Sequence, residues 1–240
     1  MSHENQRKYV NLIASNLPGF FEKKKVLEIG SLDINGSVRE FFSNCNYTGI
    51  DVDEGKSVDI VCEGQKYDAP DNSFDTVISC EVMEHNPYWA ETFQNMIRVC
   101  KEGGLVVMTC ATIGRPEHGT TRTSPHDSPL TVGIGWDYYK NLTQNHFIKN
   151  IDVENSFSNY YFKTNWDSYD LLFFGIKRAK NKDQHHPKLE NLTTKIHQFV
   201  ESSNAFKRCV YRKYAAKIFG DRYFKGVRKL IWMLEYLHND

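Results

Sequence analysis

A chain of 240 residues, 40% of them hydrophobic and with no net formal charge, has room for one well-buried domain plus an appendage. No apolar run approaches the 18 residues of a membrane span, and the N-terminal stretch Met1 to Lys8 lacks the apolar core of a secretion signal. Six cysteines without a Cys-x-x-Cys pair argue against a zinc ribbon or a disulfide frame, so a soluble, cytoplasmic protein with reduced thiols and no stable membrane insertion is expected.

Residues 4–17 predict a helix with Val10, Ile13 and Leu17 on one side, halted by Pro18-Gly19. The stretch from Val26 to Glu40 then organises the chain. It predicts a buried strand (Val26, Leu27, Ile29), a loop bearing Gly30 and Gly36, and a helix with Val38, Phe41 and Phe42 on its apolar face. Glycines let a backbone turn sharply and approach a ligand, and the helix N-terminus behind them favours an anionic group such as a carboxylate. Glu28, at the strand's end, is expected to point an acceptor into the same crevice. An acidic residue there suits a cationic ligand better than a pyrophosphate. An amino acid carrying a positive centre meets both demands.

A second strand is expected over Tyr47 to Val52, ending at Asp51, which lies 23 residues after Glu28. That is about the distance at which a second-strand carboxylate meets a ribose diol in nucleotide-binding α/β folds; the plainer reading is an acidic turn. A third strand, Val58 to Cys62, leads to Glu63-Gly64, where a carboxylate could accept from an adenine amine. A fourth runs from Phe74 to Cys80. Glu81-Val-Met-Glu84-His85 follows, then a helix capped by Asn86-Pro87, striped by Trp89, Phe93, Met96, Ile97 and Cys100, and ended by Gly103-Gly104. Leu105 to Cys110 is the fifth strand. Strands alternating with helices, with nearly unbroken apolar strand runs, predict a mostly parallel sheet covered on both faces.

Val26-Leu-Glu-Ile-Gly30, Gly49-Ile-Asp51, Asp71-Asn-Ser-Phe-Asp75, Glu81-Val-Met-Glu-His85 and Arg98-Val-Cys-Lys-Glu-Gly-Gly104 occur in that order. Together they resemble the class I S-adenosylmethionine-dependent methyltransferases, in their small-molecule branch, over roughly residues 20–178. The resemblance implies a seven-stranded, doubly wound, Rossmann-like α/β domain over residues 1–180, with S-adenosylmethionine as methyl donor and S-adenosylhomocysteine as product. It places Glu28 and Gly30 beside the methionine part of the cofactor, with Ser31 and Gly36 in the same loop. Asp51, followed by Val52, would take the ribose, Glu63 and Gly64 the adenine, and Cys80 and Glu81 would border the sulfonium. The first loop departs from the usual Gly-x-Gly-x-Gly, reading Gly30-Ser-Leu-Asp-Ile-Asn-Gly36. That wording is similar to methyltransferases found beside bacterial surface-glycan genes.

Residues 111–150 are rich in turn formers and carry Arg115, His118, Arg122 and His126. Following the fifth strand, they are expected to fold over the cofactor's methyl group as substrate loop and lid. Two arginines suit a phosphate or carboxylate on a small-molecule acceptor, and His85, His118 or His126 could remove a hydroxyl proton. The bland alternative is a solvated loop. Glu81, Glu84 and His85, spaced to share one face of a helical turn, also resemble a divalent-metal site in some methyltransferases of quinone synthesis and of small-RNA ends. His118 or His126 would complete the small-RNA type; in relatives that use no metal, Glu84 and His85 merely cap the following helix or hydrogen-bond across the crevice. Trp136 to Phe147 predicts a helix, and segments near 151–162 and 169–178 predict an antiparallel end of the sheet.

Residues 1–180 hold 18 Lys+Arg against 24 Asp+Glu, giving −6, and residues 181–240 hold 12 against 6, giving +6. The latter are expected to form a basic helical extension. Leu189, Leu192, Ile196 and Val200 outline a first helix, Val210, Tyr214 and Ile218 a second, and Val227 to Leu237 a third. Packing on the acidic body or on a second subunit, as in a homodimer, is preferred over a nucleic-acid partner. The expected reaction is methylation, at oxygen, of a small polar acceptor, anionic or carbohydrate-related, in surface-glycan biosynthesis. The alternatives are an RNA-directed methyltransferase and a non-catalytic cofactor-binding subunit.

Overall fold

The apolar runs become strands. A computed structural model describes residues 4–180 and 187–201, with Tyr214 and Ile218 beyond them. Its strands are β1 (Lys25–Ile29), β2 (Asn46–Asp51), β3 (Ile60–Val61), β4 (Phe74–Cys80), β5 (Cys100–Ala111), β6 (Phe157–Asn165) and β7 (Asp170–Lys177). They form one sheet in the order β3-β2-β1-β4-β5-β7-β6. β7 pairs antiparallel with both β5 and β6, and the other pairings are parallel. The expected seven-stranded, doubly wound, mostly parallel α/β sheet is the one observed.

Helices cover both faces. On one side lie α2 (Trp89–Val99), α4 (Gln144–Asn150) and α5 (Val153–Ser156), with the short α3 (Pro129–Gly133) between α2 and α4 in the chain. Their core is aromatic: Phe93 stands 5.0 Å from Phe147 and 5.2 Å from Phe173 between ring centres. On the other side lie α1 (Glu4–Asn16) and α6 (Pro187–Glu201). Tyr9, Val10 and Ile13 of α1, Leu189, Leu192, Ile196 and Val200 of α6, and Leu172, Phe174 and Ile176 of β7 bury one another. Lys195 Nζ donates to Asn16 Oδ1 at 2.7 Å across the two helices. The first helix of the expected extension thus packs on the body. Of the second and third, all but Tyr214 and Ile218 lie outside the described residues.

Several local expectations change. No α-helix follows β1: Ser37 caps a single 3-10 turn, Val38–Phe41, and Phe42 is already extended. Ser43 bridges Glu22 and the chain must re-enter the sheet at Asn46, which leaves room for one turn only. The anion-binding helix N-terminus expected there is absent. The helix predicted over Trp136 to Phe147 shrinks to α4, because Lys140 N–H is held by Glu84 O and Leu142 N–H by Ala111 O. Thr143 and His146 then form the capping box that starts α4. Asn86 does not cap α2 at its expected place. Its Oδ1 accepts from Tyr88 N at 2.7 Å while its amide donates to Thr92 Oγ1, and the helix begins at Trp89. Among the described residues no helix is long and apolar enough to cross a membrane. Cys45, Cys62, Cys80, Cys100 and Cys110 are free thiols.

Candidate active site

Parallel strands leave their carboxyl ends open as a crevice. Here a cleft of about 630 Å³, its mouth included, opens at the ends of β1, β2 and β4. Of the expected cofactor residues, Gly30, Asp51, Val52, Gly64 and Glu81 line it, and so does His85. Gly30 adopts φ +81°, and a Cβ there would stand 2.0 Å from Val82 Cγ2, so the turn out of β1 admits only glycine. The opposite wall comes from the loop after β5: Asp127 to Thr131, together with Trp136. Expectation had singled out the histidines and arginines of this loop. Its cleft wall is instead Asp-Ser-Pro-Leu-Thr plus a tryptophan whose ring packs edge-on against Tyr88 at 5.7 Å.

Asp51 is held in place by the loop it serves: Oδ2 accepts from Leu32 N at 3.0 Å and Oδ1 from Val52 N at 2.8 Å. Burial raises its carboxyl above the usual range, and those two N–H groups counter the shift. Each oxygen keeps a second lone pair for a ribose diol. Ser31 and Gly36 do not line the cleft. Ser31 is buried beneath it against Gly49, and Gly36, at φ +111°, donates to Asp33 Oδ1. Glu63 is occupied, accepting from Gln65 Nε2 and Lys66 Nζ, both at 2.6 Å, so its carboxylate is engaged before any adenine arrives.

Glu28 and Cys80 correct the expectation further. Side chains alternate along a strand; with Leu27 and Ile29 facing α2, Glu28 faces the α1 side, where it accepts from Tyr47 Oη at 2.9 Å. Cys80 belongs to the same α1-side core. Neither lines the cleft. Burial pushes the Glu28 carboxyl up to about 7 and the Cys80 thiol well above its ordinary value. The unfolded chain releases the Glu28 proton near pH 4.5, the folded chain only near 7, so stability falls as pH rises through that window and stays low above it. At about 1.4 kcal/mol per unit the penalty is about 3 kcal/mol. Glu28→Gln, which keeps an acceptor for Tyr47, is expected to melt well above the parent at pH 8 and level with it near pH 4. Equal melting at both would show that Glu28 is not desolvated as described.

Beyond β4 the chain passes through a strained residue: Glu81 has φ +56° without being glycine. Its N–H donates to Thr109 O, and its Oε1 accepts from Thr109 Oγ1 at 3.3 Å. Arg115 lies behind it, 3.9 Å from Glu81 Oε2 and 3.0 Å from Asp170 Oδ1. Arg122 pairs with Glu117 and Asp137 at 2.8 and 2.7 Å. Both arginines expected to bind an anionic acceptor are therefore engaged by internal carboxylates. His126 is an exposed surface side chain beside Asp127, 3.5 Å away. His118 turns inward against His85, with ring centres 4.9 Å apart, and Tyr139 packs on both. Burial pulls the His85 imidazole down to about 3 and lowers His118 as well, so both rings are neutral at pH 7. Of the expected metal set, Glu84 and His85 come together with His118; Glu81 stands apart with Thr109 and Arg115.

Residues 27–108 match the family described as a methyltransferase domain. No curated protein matches the chain by sequence. Among solved structures, it is similar to the 1,6-didemethyltoxoflavin-N1-methyltransferase of Burkholderia thailandensis with bound 1,6-didemethyltoxoflavin and S-adenosylhomocysteine. The identity is 11%, with 73% of this chain and 79% of that one covered and a TM-score of 0.50. A putative methyltransferase of Bacillus halodurans is 13% identical, covering 70% and 99%, with a TM-score of 0.45. Haemonchus contortus phosphoethanolamine N-methyltransferase 2, in complex with phosphomonomethylethanolamine and S-adenosylhomocysteine, is 15% identical, covering 72% and 52%, with a TM-score of 0.48. At such identities the likeness speaks for the fold alone.

The matched segment is a methyltransferase domain, and the sheet around it has the fold of those structures. The cleft fits S-adenosylmethionine, the cofactor expected from the sequence. Among its described walls are the carboxylates of Asp51, Glu81 and Asp127 and the apolar Ile29, Leu32, Val52 and Leu130, with no lysine or arginine. Such walls suit a nucleoside joined to a sulfonium cation, and the Glu81 carboxylate, whose Oε2 has no hydrogen bond and lies 3.9 Å from Arg115, adds to their negative charge.

Proposed function

We propose that the enzyme methylates a hydroxyl oxygen of a small, uncharged, carbohydrate-like acceptor, a step suited to surface-glycan synthesis. The observation that carries this is His85: a buried imidazole on the cleft wall whose Nδ1 has no partner. That nitrogen lies under the turn at Gly119, 3.2 Å from where a Cβ on that residue would stand; with the turn displaced by an acceptor, its bare lone pair can hold a hydroxyl and take up its proton as the oxygen attacks. The engaged arginines and the acidic walls argue for a neutral acceptor over the phosphate or carboxylate expected from sequence.

In this reading Asp51 holds the ribose, Gly30 and Gly64 let the backbone approach, and Glu81 faces the sulfonium, whose electron-poor methyl group supplies the driving force. The loop from Asp127 to Trp136 closes the cleft and excludes water, and alignment does the rest. His85→Gln is expected to lower turnover at least a hundredfold with S-adenosylhomocysteine affinity unchanged, as measured by methyl-³H transfer to hexose acceptors and by calorimetry. Because His85 stays neutral down to about pH 3, the parent's rate should show no loss from its protonation between pH 6 and 7. Transfer to amines but not hydroxyls, or a His85→Gln enzyme as fast as the parent, would overturn this proposal.

A further inference from the structure

Next to the cleft, three side chains carry donor atoms that lie within 4.8 Å of one another: Glu84, His85 and His118. Each is oriented on one side by the backbone. His118 Nδ1 lies 2.9 Å from Pro116 O, so it carries the hydrogen and Nε2 is the bare nitrogen. His85 is hydrogen-bonded to the Tyr138 backbone, and its Nδ1 is left without a partner while only 4% of the residue is exposed. Glu84 Oε1 accepts from Ala111 N at 3.0 Å, whereas Oε2, fully buried, has none. Histidines that donate one ring hydrogen to a carbonyl and keep the other nitrogen bare are arranged as metal ligands are.

The loop is built to bring these groups together. Gly119, at φ +63°, follows His118, and a Cβ there would stand 2.7 Å from His85 Cε1 and 2.6 Å from Ser128 Cβ. Buried acids crowd the cluster. Glu81, Glu84 and Asp170 face the single guanidinium of Arg115, and each of the three has an oxygen without a hydrogen-bond partner.

We propose that Glu84, His85 and His118 bind a divalent cation. Two imidazoles and one carboxylate favour zinc, manganese or cobalt over magnesium, and three protein ligands leave coordination positions open. Donors at about 2.0–2.2 Å from an ion require the cage to tighten slightly from its present spread. His85 is shared with the cleft wall, so the open positions face the acceptor. If the methyl-transfer reading holds, on which this part rests, the ion takes the acceptor's oxygen, lowers its pKa and replaces the histidine as the means of ionising it.

The test uses the full chain with His185 and His186 both changed to Ala, stripped by chelator dialysis and titrated with Co²⁺. One Co²⁺ per chain with visible d–d absorption is expected, displaced by Zn²⁺. Glu84→Gln and His118→Asn should each weaken uptake at least tenfold, whereas His126→Ala should not. No saturable uptake, or uptake unchanged in both variants, overturns the site. Thermal melts accompany each variant; if Glu84→Gln unfolds, His118→Asn, which lies in a loop, decides the outcome. S-adenosylhomocysteine binding is measured in parallel. Cobalt uptake without it supports the cation site and overturns the methyl-transfer reading, whereas nucleoside binding without cobalt overturns the cation site alone.

Discussion

A chain ended at residue 180 is expected to lose its cooperative thermal transition, while one ended at 201 keeps it. Helix α6 contributes Leu189, Leu192, Ile196 and Val200, each 5% exposed or less, to the core that holds α1 against the sheet. Burying an aliphatic side chain of that size is worth about 1.5–3 kcal/mol. Removing four of them therefore costs roughly 6–12 kcal/mol, as much as the whole stability of an ordinary domain. Tyr9, Val10 and Ile13 would also meet water. Calorimetric melts of the two truncations check this. A cooperative transition in the 180-residue chain would show that α1 and β7 close their own core and that α6 merely rests on it.

Asp51→Ala is expected to weaken S-adenosylhomocysteine binding at least a hundredfold in titration calorimetry with the sheet intact. Two effects act together. The carboxylate would hold the ribose diol by two charged hydrogen bonds, each worth roughly 1.5–3 kcal/mol. It also fixes Leu32 N–H and Val52 N–H, and so the two loops that frame the cleft. Asp51→Asn separates the contributions. It retains one acceptor oxygen and should lie between Ala and parent. Affinity unchanged in both variants would remove Asp51 from the site.

The sheet was legible because a buried parallel strand must be apolar on both faces; Phe74 to Cys80 and Leu105 to Cys110 could scarcely be anything else. The carboxylate at the end of β2 was legible from its distance along the chain. What escaped notice was whatever depends on the path between elements. Whether Val38, Phe41 and Phe42 wind into a helix depends on how soon the chain must return to Asn46, which their apolar spacing does not encode. The misplacement of Glu28 was avoidable, since strand alternation puts it on the face opposite Leu27 and Ile29. Its partner Tyr47, opposite Val26 on β2 and so on the same face as Glu28, was the clue. The pairing of His85 with His118 is half visible in the sequence: the residue types are there, but only the loop's turn at Gly119 selects His118 over His126.

The antiparallel β7 also sets a direction of travel. It carries the chain down from the rim where the cleft opens to the base of the sheet, where Lys180 N–H meets Glu102. Helix α6 then climbs alongside β6: Leu189 and Glu190 stand near Ser158 and Tyr160, whereas Glu201 reaches Lys163, 3.8 Å away and further up the strand. The polypeptide completes a round trip, and Glu201 stands toward the rim where the cleft opens rather than at the base. A tag or crosslinker attached just after Glu201 would begin at the end of the molecule where the cleft opens, and one attached at residue 180 would begin at the other.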